Sequence, residues 1–379
     1  MTRRNIIIIT ATILVLVAAL LGWQRIHENG SSAEPFTIGA VFPLTGPNAS
    51  YGEQASQAIT LAVKSVNADG GVDGRPLRVV YQDSQFQSAP ALNAYQQLKL
   101  QGVRFFLTIG SQVSVTIGPR ARADGNLEYE LSAVTPAYRD GSPLTCRSAL
   151  TADASSAVLA RYLASHRLLR IATLVSNDEQ GAAVVKTLAA DLRPLGGDIT
   201  DQESYQVQDS DFRTQIAKID AANPDALVAI APGQYGEILF RQLKELGFNK
   251  HIFSNNWTVV NQNITNLSLL NGVIFTDFAY EGLPETADSA NAAAFKASFR
   301  AATGENPPII AANAYDAVMI LAKTAAASAG DPAKVANYIT HLADYPGVSG
   351  SLTFDGDCEA SAATTLRTVR NGAIARITE

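Results

Sequence analysis

The sequence predicts an α/β protein of two doubly wound, Rossmann-like lobes, and three observations carry that expectation. Ile38 to Asp83 reads as strand, glycine-punctuated loop, helix, tight turn and strand. Strand and helix then alternate through the first half of the chain, and the alternation starts again at Arg170. Past Gly272 the order changes to a strand, two helices and a tail of hairpin-like strands.

The opening unit follows from its residues. Ile38 to Phe42 is a short apolar run stopped by Pro43, and Leu77 to Tyr81 is another. Between them Ala55, Ala58, Ile59, Ala62, Val63 and Val66 recur at intervals of three and four, which gathers them into one helical stripe. Asn67, Gly70, Gly71 and Gly74 end that helix, because glycine accepts the positive φ of a helix terminus. A strand, helix and strand so spaced form a right-handed crossover whose strands are parallel.

The remaining elements are taken in order. Ala91 to Gln101 is a helix, Val103 to Ile109 a fully buried strand, and Gly110 to Thr116 a loop of small and hydroxylic residues. Such a loop, at the carboxyl end of a parallel strand, lies where open α/β sheets bind ligands. Helix-start N–H groups there attract a carboxylate, and Ser114 stands either as a ligand-binding hydroxyl or as a plain N-cap. Tyr129 to Val134 is the next strand, with Thr135 to Arg139 as its exit loop. In the second set the strands are Arg170 to Val175, Ala226 to Ile230 and Ile252 to Ser254. Their exit loops carry Gln180, Tyr235 and Asn256. Val273 to Phe278, a helix around Ala293 to Ala302, a helix through Ala314, Ala317, Val318 and Leu321, and an Asn371-Gly372 hairpin turn complete the chain.

Composition narrows the function. The chain has 379 residues, of which 47% are hydrophobic and 17% charged, as in a globular protein with real cores. A formal charge of -6 provides no basic field, so nucleic acid is not expected as a partner. No nucleophile elbow, P-loop, zinc-protease or dinucleotide fingerprint occurs. His27, His166, His251 and His341 lie far apart, and Asp209 with Asp211, or Asp355 with Asp357, lack the spacing of a calcium loop. An enzyme, a metal site and a cofactor are therefore not expected.

The N-terminus makes a separate prediction. Arg3 and Arg4 precede an uncharged run from Ile6 to Trp23, and a spanning helix needs roughly 17 to 25 residues. A retained anchor is favoured over a cleaved signal peptide, since small residues come only at Ser31 to Ala33, behind Arg25, His27 and Glu28. No cysteine follows the run, as a lipid anchor would require. The folded part is expected outside the cell, tethered to the cell membrane by a single pass.

Several spaced segments carry a resemblance. Pro43 to Gly46, Tyr51-Gly52, Asn67 to Leu77 and a strand ending in Asp83 resemble the opening of the leucine-binding branch of type I periplasmic binding proteins. The helix from Asn313 to Val318 and the strand region from Gly350 to Asp357 resemble the close of that family, so the likeness runs from about Phe36 to the C-terminus. These are solute receptors of branched-chain amino-acid ABC importers. The resemblance implies three crossings between lobes, near Thr145, Phe278 and Gly350. It divides the chain into an anchor and linker at 1–35, lobe 1 at 36–145 and 279–349, and lobe 2 at 146–278 and 350–379. Cys146 and Cys358 then lie beside crossings that the family brings together, which implies a disulfide in an oxidising compartment, the alternative being two buried thiols.

The same resemblance implies a site in the inter-lobe cleft. Tyr51 matches an aromatic lining position, the alternative being a packed core tyrosine; Ser114 matches the carboxylate-binding hydroxyl and Ala137 a backbone contact. Asn256 and Arg139 stand where amino-acid-binding relatives hold an acidic residue and a threonine, and Gln180 where they often hold a tyrosine. With Tyr235, these loops are expected to bind a small carboxylated solute without a free α-amine, because an amide cannot pair a buried ammonium and a guanidinium repels it. The implied role is capture by hinge closure and delivery by a monomer to an ABC permease and ATPase. A sensing ectodomain acting through a membrane partner is the alternative; only Met1 to Asn5 precede the apolar run.

Overall fold

The computed structural model describes residues 34–139, 141–148, 151–206, 208–231, 234–259, 264, 266–278, 289–361 and 364–377. The run from Ile6 to Trp23 lies outside them. The first sheet is built by β1 (Phe36–Phe42), β2 (Leu77–Asp83), β3 (Phe105–Thr108), β4 (Leu127–Glu130) and β5 (Thr145–Arg147). Their order is β2-β1-β3-β4-β5, every pair parallel. Helices α1 (Ala49–Ala68), α2 (Ser88–Leu100) and α3 (Ser111–Ala123) connect them. The predicted stripe on α1 is its buried face, with Ala55, Ala58, Ile59 and Ala62 fully buried. On the opposite face of the sheet, Tyr95 and Leu98 of α2 and Val113 and Ile117 of α3 close a second cluster against Val41 and Phe106.

The second lobe repeats the arrangement. Its helices are α4 (Ala152–Ser165), α5 (Glu179–Leu192), α6 (Arg213–Ala222), α7 (Gln234–Glu245) and the short α8 (Asn256–Val259). Its parallel strands are β6 (Arg170–Ser176), β7 (Asp198–Tyr205), β8 (Ala226–Ala229), β9 (His251–Asn255) and β10 (Ile274–Phe278). The seven-stranded sheet runs β15-β14-β10-β9-β8-β6-β7, with β14 (Thr364–Arg370) and β15 (Ala373–Arg376) antiparallel at one edge. Asn371 and Gly372 join those two strands at φ of 51° and 72°, as a two-residue hairpin turn requires. Strand β7 has no apolar run to announce it: it is an edge strand whose side chains alternate between exposed and half-buried until Tyr205.

Three further helices return to the first sheet: α9 (Ala290–Thr303), α10 (Ile309–Ala327) and α11 (Pro332–Ile339). Helix α10 is the one described helix long and apolar enough to cross a membrane, yet 72% of that window is buried inside the protein, where it packs along α1 as a core helix. A small sheet of β11 (Tyr345–Pro346), β12 (Ser351–Phe354) and β13 (Ala360–Ser361) follows. Here the predicted crossing moves. Leu352, Phe354, Cys358 and Ala360 belong to the first core, with Phe354 edge-on to Tyr129, and Thr364 opens β14 in the second sheet. The chain therefore changes lobes between Ser361 and Thr364 rather than near Gly350, because apolar side chains of β12 and β13 face the first sheet. The first passage likewise follows Ser148 rather than Thr145, since β5 completes the first sheet through Arg147. The second lies between Phe278 and Ala290.

Candidate functional site

In both sheets the strand order reverses next to the first strand, between β1 and β3 and between β6 and β8. Loops leaving the carboxyl ends at such a reversal diverge and open a crevice. Each reversal is followed by a helix that starts unusually close to its strand. A Cβ on Gly52 would sit 2.1 Å from the Pro43 carbonyl oxygen, and one on Gly181 would sit 1.9 Å from that of Ser176. Only glycine lets α1 and α5 begin there, and their first turns carry Tyr51 and Glu179. Asp178 caps α5, its Oδ1 accepting the Gly181 N–H at 2.9 Å. Asp83, at the end of β2, accepts the Leu44 N–H at 2.9 Å and the Thr45 hydroxyl at 2.5 Å, and so holds the loop that leads into α1. Partial desolvation raises that carboxyl, but bonds from Thr45, Gln85 and Leu44 outweigh it and leave Asp83 more acidic than usual.

Two contacts join the lobes at this crevice. The Tyr51 ring stacks on Trp257 with centroids 4.1 Å apart and planes 10° from parallel. The Thr135 hydroxyl donates to Glu179 Oε1 at 2.9 Å. Trp257 is carried by α8, which Asn255 builds by accepting the N–H and hydroxyl of Thr258, both at 3.1 Å. Although it belongs to the second lobe's chain, Trp257 packs against the core of the first. Its indole nitrogen is buried and has no hydrogen-bond partner among the described residues.

The turn that carries Thr135 is held from behind. Glu130, at the end of β4, accepts the N–H groups of Gly110 at 2.8 Å, Ser132 at 2.6 Å and Ala133. Arg147, 2% exposed, donates Nη1 to the carbonyls of Thr135 at 2.7 Å and Ala133 at 3.2 Å, and Nη2 to Glu359 at 2.5 Å. Burial raises the Glu130 carboxyl, opposed by its three N–H donors and by Arg147; desolvation, reinforced by Glu130, pushes Glu128 well above the usual range. Cys146 and Cys358 are bonded, with Cα atoms 4.5 Å apart, and fasten the loop bearing Glu359 to β5. The Ser111 hydroxyl, at the start of α3, accepts the Val134 N–H at 3.1 Å, tying the second strand-end loop to the same turn.

Of the residues singled out in the sequence, Tyr51 is packed in the first core with its ring at the lobe junction, Asn256 begins the helix that carries Trp257, and Gln180 is buried in the first turn of α5. Ala137 is exposed, and its N–H donates to Thr135 Oγ1 at 3.2 Å. Three others are engaged elsewhere. Ser114 is wholly buried one turn into α3, where its hydroxyl donates to the Gly110 carbonyl at 2.8 Å, so it is neither the N-cap nor open to a ligand. Arg139 forms exposed ion pairs with Asp355 at 2.6 Å and Asp357 at 2.8 Å, which engage its guanidinium within the protein. Tyr235 packs in the second core. Thr135, Glu179 and Trp257 were not among the predicted residues. Glu179 and Trp257 each adjoin one that was, and Thr135 lies two positions before Ala137; the strand-exit position alone is their signal.

The profile of the family described as periplasmic binding protein matches residues 35–377, and the chain belongs to that family. It is a family of extracytoplasmic substrate-binding receptors rather than enzymes. The Leu/Ile/Val-binding protein homolog 1 of Brucella abortus (strain 2308) is 27% identical over 330 residues, covering 86% of this chain and 88% of the relative. The type 1 periplasmic binding protein of Bordetella pertussis Tohama I superposes with a TM-score of 0.82 at 26% identity, over 91% of this chain and all of its own. The branched-chain amino acid transporter substrate-binding protein LivJ of Streptococcus pneumoniae, solved with isoleucine, superposes with a TM-score of 0.78 at 23% identity, over 90% of this chain and 98% of its own. The family makes this chain a solute-binding receptor by kind; the branched-chain amino-acid names belong to the relatives.

Proposed function

We propose that this protein captures a small carboxylated solute between its two lobes by hinge closure and presents it to an ABC permease and ATPase from outside the cytoplasm. The observation that carries the proposal is the pair of cross-lobe contacts, Tyr51 on Trp257 and Thr135 to Glu179, both at carboxyl ends of parallel strands. Contacts of this kind form when the lobes meet and are lost when they part, which is what a hinged trap needs. The first turn of α3, from Ser111, supplies N–H groups suited to the solute carboxylate. The stacked aromatics supply an apolar wall.

Names of relatives point the same way: one is called a Leu/Ile/Val-binding protein homolog and another was solved with isoleucine. With Arg139 engaged by two aspartates, the guanidinium no longer argues against an amine, and Glu179 places a carboxylate at the lobe junction. Amino acids therefore stand beside simple organic acids as candidate solutes. The run from Ile6 to Trp23 is proposed as the tether that keeps the receptor near its permease. Calorimetric titration with leucine, isoleucine, valine, benzoate and glutarate, paired with small-angle scattering, tests the proposal. At least one solute is expected to bind in the micromolar range or tighter and to reduce the radius of gyration. Binding without compaction would refute hinge closure, and no binding would refute the solute class.

A further inference from the structure

The indole nitrogen of Trp257 carries a hydrogen that can only be donated, and it is buried without an acceptor among the described residues. Buried donors in folded proteins are nearly always paired, so an orphan at a ligand crevice asks for a partner from outside the protein. Elsewhere at the lobe junction the Thr135 hydroxyl and Glu179 Oε1 hold each other. The Asn255 side-chain oxygen, just before Asn256, accepts from Thr258, and the Thr258 hydroxyl itself accepts the Ala231 N–H at 3.2 Å. One face of the Trp257 ring system is covered by Tyr51, stacked 4.1 Å away, which holds the indole in a single orientation between the lobes.

Resting on the proposed function, we infer that the solute bears a second oxygen acceptor, besides the carboxylate held by the first lobe, and that it accepts the Trp257 indole hydrogen. A purely aliphatic or unsubstituted aromatic tail would leave that donor buried and unpaired in the closed state. A carboxylate, carbonyl or hydroxyl oxygen at the far end of the solute would satisfy it. Sites built to pair a polar group reject the analogue that lacks it far more strongly than apolar pockets sort by size. Trp257 is thereby a specificity-determining residue, and the solute class narrows to dicarboxylic, hydroxylated or carbonyl-bearing acids, with or without an amine.

Matched solutes that exchange an apolar group for an oxygen-bearing one of similar shape test this on the full-length protein: valerate against glutarate, benzoate against 4-hydroxybenzoate, and leucine against asparagine. In the pair that fits the crevice, the oxygen-bearing member is expected to bind about tenfold tighter or more. Trp257→Phe, which keeps an aromatic face for Tyr51 but loses the pyrrole ring with its donor, should shrink that ratio to within about threefold. Independently of any variant, the indole N–H proton resonance should move downfield on binding; the sequence has two tryptophans, Trp23 and Trp257, so the signal is readily assigned. The inference is overturned if the apolar member binds as tightly, if the ratio survives Trp257→Phe, or if the resonance stays in place. No titration with any of the six solutes would instead bring down the proposed solute class, and this inference with it.

Discussion

A guanidinium in a strand-exit loop attracts carboxylates, and Arg139 finds two of them in Asp355 and Asp357, 216 and 218 residues further along the chain. The pairing is solvent-exposed, so Arg139→Ala is expected to cost less than about 1 kcal/mol of stability and to change solute affinity less than about twofold, as read by calorimetry. Thr135 is the opposite case. Its hydroxyl spans the lobes to Glu179 at 2.9 Å, and Thr135→Val removes the bond while keeping the branched shape. A hydrogen bond to a charged group contributes about 1.5 to 3 kcal/mol, and under the proposed hinge closure this one forms only when the lobes meet. Thr135→Val should therefore weaken solute binding by about tenfold, chiefly through faster release in stopped-flow measurements. A sequence shows that both residues sit in the loop after β4. It does not show which one faces the other lobe, because that depends on partners more than forty positions away.

At the level of the element, the helices are set by close approaches and buried carboxyls. Gly181→Ala would drive a Cβ to 1.9 Å from the Ser176 carbonyl oxygen and push α5 off its strand. The expected loss is about 1 to 3 kcal/mol in urea unfolding, together with weaker solute binding, since Glu179 moves with the helix. In α10, Asp316 is 1% exposed; its Oδ1 accepts the Val348 N–H at 2.8 Å, and its Oδ2 the Ser349 N–H at 2.8 Å and hydroxyl at 2.6 Å. Burial raises its pKa to about 6 against those three bonds. The folded state then binds the proton more tightly than the unfolded chain, so this group favours folding at low pH and loses that contribution as pH rises towards 6. Between pH 4.5 and 7.5 the change is worth roughly 2 kcal/mol. Unfolding free energies from urea titrations at the two pH values should differ less in Asp316→Asn by about that amount; an unchanged difference would contradict the assignment. Helix α10 was legible from its apolar spacing, whereas nothing local marks Asp316 as the anchor of a loop that begins some thirty residues later.

Over the whole molecule, the disulfide and the buried Arg147 hold the first lobe together from both ends of its chain. Cys146 and Cys358 are 212 residues apart and both lie in the first core. Replacing both by alanine should lower the stability of that lobe by roughly 2 to 5 kcal/mol, seen by calorimetry as a downward shift of one transition while the second lobe's stays in place. The sequence by itself determined the class of architecture, the parallel order of the opening strands, the α1 stripe and the hairpin at Asn371-Gly372, because periodicity, glycines and turn residues act over a few positions. Only the tertiary structure decided that Ser114 turns into its own helix, that Arg139 pairs with Asp355 and Asp357, that β12 and β13 belong to the first lobe, and that Trp257 and Glu179 meet the other lobe. Those outcomes depend on side-chain direction and on contacts between residues far apart in sequence, where a one-residue change of register reverses what a loop presents.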